Sequence, residues 1–532
     1  FHLSVLLLTR QLSCLSGTVW SKTLQHTRAN RIENLLLHEF HARKYLVPDK
    51  LGFKEKQRVA AAVAAENGED NPAEDAPGKS GKRRGPPSYS GGLVLEPKKG
   101  LYDKYVLLLD FNSLYPSIIQ EFNICHTTVA RPQDGTMPPL PEPAPGGPGG
   151  EDAAVLPQVI RKLVQRRRQV KEMLKSERNV QKKQLLDIRQ MALKLTANSM
   201  YGCLGFSHSR FYAKPLAELI TSQGREILQN TVDLVQGDLN LNVIYGDTDS
   251  IMIATGSDDL AVVRKAGMEV KKVVNKKYKL LEIEVDGIFK SMLLLKKKKY
   301  AALKVEPTPD GGSTTVMEQK GLDIVRRDWC GLSKELGNSA LEHILSGKAP
   351  DDVVSAIHDQ LRDAAVAVKA GTVALDKFVI TKQLTKRPED YPDKANQPHV
   401  QVALRRKQAG KRDGVAAMET VPYVICSQLG ENGEPMPETS SGKGGGIAAK
   451  AYHPEEVAES EGRLAPDVLY YLGQQVHPVV SRLCAVIEGT GAGQIAECLG
   501  LDAAKYAASG AVSAAAARED ALLAGGSVLD DE

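Results

Sequence analysis

Near the middle of the chain, two apolar stretches flank a short polar turn. Leu239, Leu241 and Val243 alternate with Asn240 and Asn242, while Ile251-Met252-Ile253-Ala254 is a continuous apolar run. Period-two alternation and a short apolar run bounded by turn residues both predict strands. Tyr245-Gly246-Asp247-Thr248-Asp249-Ser250 then forms the tip of a hairpin, with two acids one residue apart. Upstream, Tyr105 to Asp110 is a continuous apolar run ending in an acid, as expected of a buried strand that delivers a carboxylate at its end. Ser113 to Phe122 should form a helix, with Pro116 in its first turn, where a missing N–H costs least.

The rest of the pattern is mostly helical. Arg31 to His41 places Leu35, Leu36 and Phe40 on one side of a helix. A basic helical pattern runs from Gln158 to about Met191, interrupted around Ser176 to Asn179. A helix from Gln184 through Met200 should end at Gly202, a residue suited to the first position past a helix. Leu216 to Gln236 reads as an amphipathic helix and Ala261 to Tyr278 as a basic helix. Leu93-Val94-Leu95, Glu282 to Lys290 and Ser291 to Val305 read as strands, and residues 334–500 as mainly helical.

Composition narrows the class. The chain has 532 residues, 42% hydrophobic and 25% charged, which excludes collagenous, wholly disordered and membrane proteins. The seven cysteines include no Cys-x-x-Cys pair, which argues against a zinc ribbon or a disulfide framework and fits a reducing compartment. Phe1 to Leu8 is apolar but too short to span a bilayer. A soluble intracellular protein is expected and, because the chain starts without Met, a fragment. The net charge of +4 says little, but its distribution is uneven. Basic runs stand at Arg166 to Arg168, Lys271-Lys272, Lys276-Lys277 and Lys296 to Lys299. Gly81-Lys82-Arg83-Arg84 reads equally as a nuclear address or a solvated loop.

Asp and Asn are common in hairpin turns for backbone reasons alone. A third acid, Asp110, on a separate strand changes the reading, because close carboxylates are reconciled by a divalent cation. Arg167 and Lys171 share one helix face, and Lys194, Asn198 and Tyr201 share another. Two such faces would clamp a triphosphate, and Tyr115 and Tyr201 offer flat surfaces for sugar and base. Taken singly, each has an ordinary alternative as core aromatic, surface lysine or backbone-satisfying amide. Together they outline a nucleotidyl-transfer site, in which two Mg²⁺ ions activate the attacking oxygen and stabilise pyrophosphate. Four lysines on a strand place two on each face, as a solvated run or as phosphate neutralisers.

Three blocks carry a family resemblance: Asp110-Phe111-Asn112-Ser113-Leu114-Tyr115-Pro116-Ser117, Lys194-Leu195-Thr196-Ala197-Asn198-Ser199-Met200-Tyr201-Gly202 and Tyr245-Gly246-Asp247-Thr248-Asp249-Ser250. They resemble motifs A, B and C of the family B DNA polymerases, in that family's order. Gln120 to Cys125, Leu293 to Leu303, Lys320 to Cys330 and Gln475 to Val480 bring the resemblance nearest to the eukaryotic replicative branch that extends primase-made primers.

The resemblance implies an α+β multidomain right hand with a palm sheet, helical fingers and a mainly helical thumb. It divides the chain into a segment before the palm (1–58), a flexible insertion (59–88), a first palm part with motif A (89–130) and a Pro/Gly-rich insertion (131–157). Fingers with motif B (158–206), a second palm part with motif C (207–320), a thumb (321–501) and an Ala-rich tail expected to be disordered (502–532) follow.

By the same resemblance Asp110, Asp249 and the Phe111 carbonyl hold two Mg²⁺ ions, with Asp247 a nearby catalytic acid. Ser113, Leu114, Tyr115, Arg167, Lys171, Lys194, Asn198 and Tyr201 contact the nucleotide, Tyr115 as the steric gate against a ribose 2′-OH. Tyr89, Gly91 and Gly92 touch the template, and Lys296, Lys297, Lys298, Lys299, Tyr300 and Arg326 grip the primer duplex. The implied activity is template-directed extension of a DNA or RNA–DNA primer with dNTPs in the nucleus. The implied partners are primase and an accessory B subunit, with no membrane. The family's proofreading acids and its zinc-binding, B-subunit-binding C-terminal region do not occur in these residues. Another replicative family B polymerase and a non-catalytic DNA-binding scaffold are the rival readings.

Overall fold

The structure, a computed structural model, describes residues 2–25, 28–49, 52, 90–130, 132, 136–148, 150, 152–308, 310–411, 413–430 and 446–508. Tyr89, the insertion expected at 59–88 and the tail beyond 508 lie outside the described residues. Among those described, no helix is long and apolar enough to cross a membrane.

The centre is an antiparallel sheet. Its strands are β1 (Gly100–Tyr102), β2 (Val106–Phe111), β3 (Asn242–Asp247), β4 (Ser250–Ala254), β5 (Ile283–Lys296), β6 (Lys299–Pro307) and β7 (Ser313–Lys320). Their order is β3-β4-β2-β5-β6-β7, with β1 also on β5. The apolar run of β2 follows from its place: strands buried on both faces lose alternation. Leu107, Leu109 and Phe111 enter a large core beneath the sheet. Val106 and Leu108 enter a smaller one with Ile244, Met252, Phe289 and Tyr300. Asp110 interrupts the second face.

Helices cover the large core. These are α1 (His2–Ser16), α2 (Trp20–Leu24), α3 (Arg28–Ala42), α4 (Leu114–Glu121), α5 (Val155–Ser176), α6 (Val180–Gly205), α7 (Lys214–Gly237) and α8 (Leu260–Asn275). The break between α5 and α6 falls where the sequence places it, at Glu177 to Asn179. There the Asn179 side chain caps α6 by accepting from the N–H groups of Gln181 and Lys182.

Two expected boundaries shift. Gly202 does not end α6, which runs on to Gly205. A helical glycine costs about 1 kcal/mol relative to alanine, and burial of Met200, Cys203 and Leu204 around it offsets that cost. The end is set instead by the Ala213 N–H, which donates to the Leu204 carbonyl. Nor does a strand end at Lys290. β5 continues to Lys296 and the chain reverses at Lys297-Lys298, with Lys298 in the left-handed region at φ 61°. The lysine run therefore occupies a hairpin turn, not two faces of one strand.

The region after residue 321 has its own core. It contains α9 (Gly331–Ile344), α10 (Pro350–Lys369), α11 (Pro398–Gln408), α12 (His477–Leu483) and α13 (Ala492–Cys498). It also contains a small sheet that the sequence reading passed over: β8 (Ile380–Gln383), β9 (Thr420–Gln428), β10 (Ala451–Tyr452) and β11 (Leu464–Pro466), with β9 central. Its signal was present in the buried Val421, Tyr423, Val424, Ile425 and Cys426. A short α14 (Ala503–Ala508) opens the stretch read as tail, and its Tyr506 ring lies 4.3 Å from that of His477.

Candidate active site

Two strands bring the acids together. β2 pairs antiparallel with β4, so that Asp110 lies opposite Ser250, and β3 and β4 form the hairpin with Asp247 opposite Ser250. At the tip the Phe111 N–H donates to the Asp249 carbonyl at 2.7 Å, and the Asp249 N–H to the Asp247 carbonyl at 2.6 Å. Thr248 between the two acids takes φ 58°, a left-handed turn conformation. Its N–H donates to Leu93, the first residue of a segment that runs along β3 through a Val94–Asp247 bridge. Leu93 to Leu95 was expected as a strand and appears as this single bridge.

 

Burial gives these acids their electrostatics. Burial first, then the charges of Asp249 and Asp286, pushes the Asp110 carboxyl up to about 7, while Lys194 pulls the other way. Asp249 is pushed up to about 6, again mainly by burial, with Asp247 adding repulsion and Lys298 offsetting it. Two desolvated carboxylates, one at a strand end and one in the neighbouring hairpin turn, are costly unless a cation joins them. Among the described residues no three His, Cys, Asp or Glu side chains converge into a metal cage. Two carboxylates fit Mg²⁺, which commonly takes one or two from the protein and the rest from water and substrate phosphates.

Asp247 is set differently. It accepts from the Tyr245 hydroxyl at 3.2 Å and the Thr248 hydroxyl at 3.1 Å, and lies 3.6 Å from the Lys298 ammonium. The Lys298 N–H in turn donates to the Tyr245 hydroxyl at 2.8 Å, which ties the lysine turn to the acidic hairpin.

Beside the acids stand the predicted nucleotide contacts. Ser113, at φ 49°, leads into α4, whose first-turn N–H groups lack intrahelical acceptors and present the positive end of the helix dipole. Leu114 is buried under them. The Tyr115 ring lies 4.5 Å from that of Tyr201, at an interplanar angle of 34°. Tyr201 itself is buried, whereas Lys194 and Asn198 on the same helix are exposed. Arg167 Nε lies 3.4 Å from the Gln190 side-chain oxygen, which joins the two finger helices. Partial burial holds Arg167 below the usual guanidinium range, and burial together with Arg167 and Lys194 lowers Lys171. The three cations thus raise one another's electrostatic cost along the facing helices.

The predicted DNA contacts divide. Gly91 and Gly92 lie beside the hairpin, where Arg225 of α7 donates to the Ser90 and Gly91 carbonyls at 3.0 and 2.8 Å. Lys297 pairs with Glu96, and Lys298 with Asp247, both lysines largely exposed. Lys299 is mostly buried and lies 3.6 Å from Asp323, which Arg482 of α12 also approaches to 2.6 Å. Tyr300 donates to Glu318 at 3.0 Å, and Arg326 lies 3.1 Å from Asp328. Lys296 closes β5, opposite Lys299.

Sequence reasoning missed Asp286 and Arg225. Asp286 sits at a register shift where Val285 faces Leu109 and Gly287 faces Leu108. Such a bulge re-aims a side chain, and no pattern of apolar residues announces it. Arg225 looked like one more polar residue on an amphipathic helix.

Comparisons with known proteins identify the family. Residues 18–487 match the family described as DNA polymerase family B. The DNA polymerase alpha catalytic subunit of Oryza sativa subsp. japonica is 57% identical over 541 residues, covering 100% of this chain and 34% of that protein. The protein of the same name from Arabidopsis thaliana is 55% identical, covering 95% of this chain and 33% of its own length. That from Mus musculus is 49% identical, covering 100% and 35%. The chain thus spans about a third of the length of these relatives. The family B DNA polymerase of the hyperthermophilic archaeon Pyrobaculum calidifontis superposes with a TM-score of 0.58 at 30% identity, over 91% of this chain and 54% of that one. With its acids on a palm hairpin and its family match over most of its length, the chain belongs to DNA polymerase family B.

Proposed function

We propose that this chain is the catalytic core of a DNA-directed DNA polymerase that extends a primer 3′ end with dNTPs. The observation that carries the reading is the 2.7 Å hydrogen bond from Phe111 to Asp249, which holds motif A against motif C beside two desolvated carboxylates. Divalent-metal use is general to the family, and here Asp110, Asp249 and the Phe111 carbonyl would hold the ions. Two Mg²⁺ ions, when bound, supply activation of the attacking oxygen and neutralisation of the leaving pyrophosphate.

The chain's own groups do the rest. Arg167, Lys171, Lys194 and Asn198 bind the triphosphate, and the first-turn amides of α4 at Ser113 and Leu114 add donors. Tyr115, packed at a tilt against Tyr201, lies against the sugar and rejects a ribose 2′-OH. Attack by the primer 3′ oxygen forms a bond to the α-phosphorus, and the bond to the β,γ-pyrophosphate breaks. Asp247 is held by Tyr245, Thr248 and Lys298 and orients the hairpin beside this reaction.

Tyr89, Gly91 and Gly92 contact the template. Lys296, Lys297, Lys298, Tyr300 and Arg326 follow the primer duplex, with Lys299 anchoring that surface through Asp323. By analogy with relatives named DNA polymerase alpha catalytic subunit, the primer is RNA or RNA–DNA in the nucleus, with primase and an accessory B subunit as partners. Primer extension on matched RNA-primed and DNA-primed templates tests this. Ready use of the RNA primer supports it, and extension confined to DNA primers contradicts the primase-linked part.

A further inference from the structure

α7 carries a glycine at its centre that its backbone does not require. Gly224 is helical and buried, and a mid-helix glycine costs about 1 kcal/mol relative to alanine. Space explains it. A Cβ at Gly224 would lie 3.1 Å from Tyr115 Cε1, 3.6 Å from Ile118 Cδ1 and 3.7 Å from Leu114 Cδ2. The helix cannot back away, because Ile220, Ile227 and Leu228 on either side of this position are fully packed.

Tyr115 is confined on other sides too. Its ring lies 4.5 Å from that of Tyr201. A Cβ at Gly92 would lie 3.1 Å from the Tyr115 hydroxyl and 2.9 Å from both Thr248 side-chain atoms, Cγ2 and Oγ1. Two glycines and one aromatic ring thus form a socket for Tyr115, one wall from α7, one from the glycine pair and one from α6.

We propose that Gly224 is a positioning residue that determines sugar specificity, by setting how far the Tyr115 ring stands toward the nucleotide. The proposal rests on the reading of Tyr115 as the gate against a ribose 2′-OH. A methyl group at Gly224 pushes the ring by a few tenths of an ångström. With the other walls closed, the ring moves toward the sugar. A misplacement of about 1 Å near reacting groups can cost roughly 100-fold, so this smaller shift should alter discrimination roughly three- to tenfold. Ribonucleotide insertion falls more than deoxyribonucleotide insertion.

The test is single-nucleotide insertion by the 532-residue chain, measuring kcat/KM for a dNTP and its matching rNTP. The ratio compares two substrates on one enzyme, so partial loss of folded protein cancels. Gly224→Ala should raise the dNTP preference roughly three- to tenfold. Gly237→Ala, on the same helix with nothing within 4 Å of the added carbon, should leave it unchanged. In a Tyr115→Ala background, Gly224→Ala should have no further effect on the ratio, because the group it acts through is gone. Equal losses for both sugars, or an effect that persists without Tyr115, would overturn the proposal. Tyr115→Ala leaving the ratio at its wild-type value would overturn the gate assignment itself, and the proposal with it.

Discussion

The N–H of Phe111 donates to the carbonyl of Asp249 across 2.7 Å, from the end of one strand to the turn of a hairpin more than a hundred residues away in sequence. That contact fixes Asp110 and Asp249 side by side, close enough that the charge of Asp249 helps to raise the Asp110 carboxyl. The backbone sets the spacing of the two carboxylates, and burial makes their negative charge costly.

Stability should therefore depend on pH in a way that Mg²⁺ reverses. The Asp110 carboxyl is raised from the usual carboxylate range to about 7 in the fold. A raised acid contributes stability that is full below its unfolded value, about 4, and is lost as pH rises through about 7. Mg²⁺ competes with that proton. Thermal melts should show Mg²⁺ raising Tm at pH 8 and hardly at pH 5, and Asp110→Asn should abolish the difference. Equal shifts at both pH values would contradict the assignment.

Lys298 and Lys299 should separate. Lys298 pairs with Asp247 largely in solvent, where an ion pair contributes about 0–1 kcal/mol. Lys298→Ala should leave Tm nearly unchanged while reducing the salt dependence of duplex binding by about one phosphate contact. Lys299 shares the mostly buried Asp323 with Arg482, whose guanidinium lies 5.1 Å from the centre of the Trp329 ring. Asp323→Ala leaves two cations facing each other, and calorimetry should register a loss approaching about 3–5 kcal/mol.

Arg225 should matter for template binding more than for folding. Its guanidinium holds the Ser90 and Gly91 carbonyls at the surface. Arg225→Ala should weaken primer–template affinity by roughly 1–2 kcal/mol, the scale of charge-assisted hydrogen bonds lost, with melting little changed. Fluorescence anisotropy with a labelled duplex gives the value, and unchanged affinity would remove the loop from the template surface.

Much of this was legible beforehand, for physical reasons. The acidic hairpin could be read because two strands with buried faces leave a plain apolar signature around a polar turn. β2 could be read because Val106 to Leu109 is apolar on both faces. Contacts across the fold could not be. The bulge at Asp286 depends on register, the clamp of Arg225 on which loop passes α7, and the socket around Tyr115 on what a missing Cβ would touch. The lysine run misled because charge count does not say where a chain reverses. The Tyr245 hydroxyl, which accepts from the Lys298 N–H, holds the turn there.

The most direct measurement is primer extension with Mg²⁺ by the wild-type chain beside Asp249→Ala, with duplex binding and thermal melting measured on both. The account predicts extension by the wild type and its loss in the variant, with binding and folding retained. Extension by Asp249→Ala at the wild-type rate would contradict the assignment of Asp110 and Asp249 as the reacting centre.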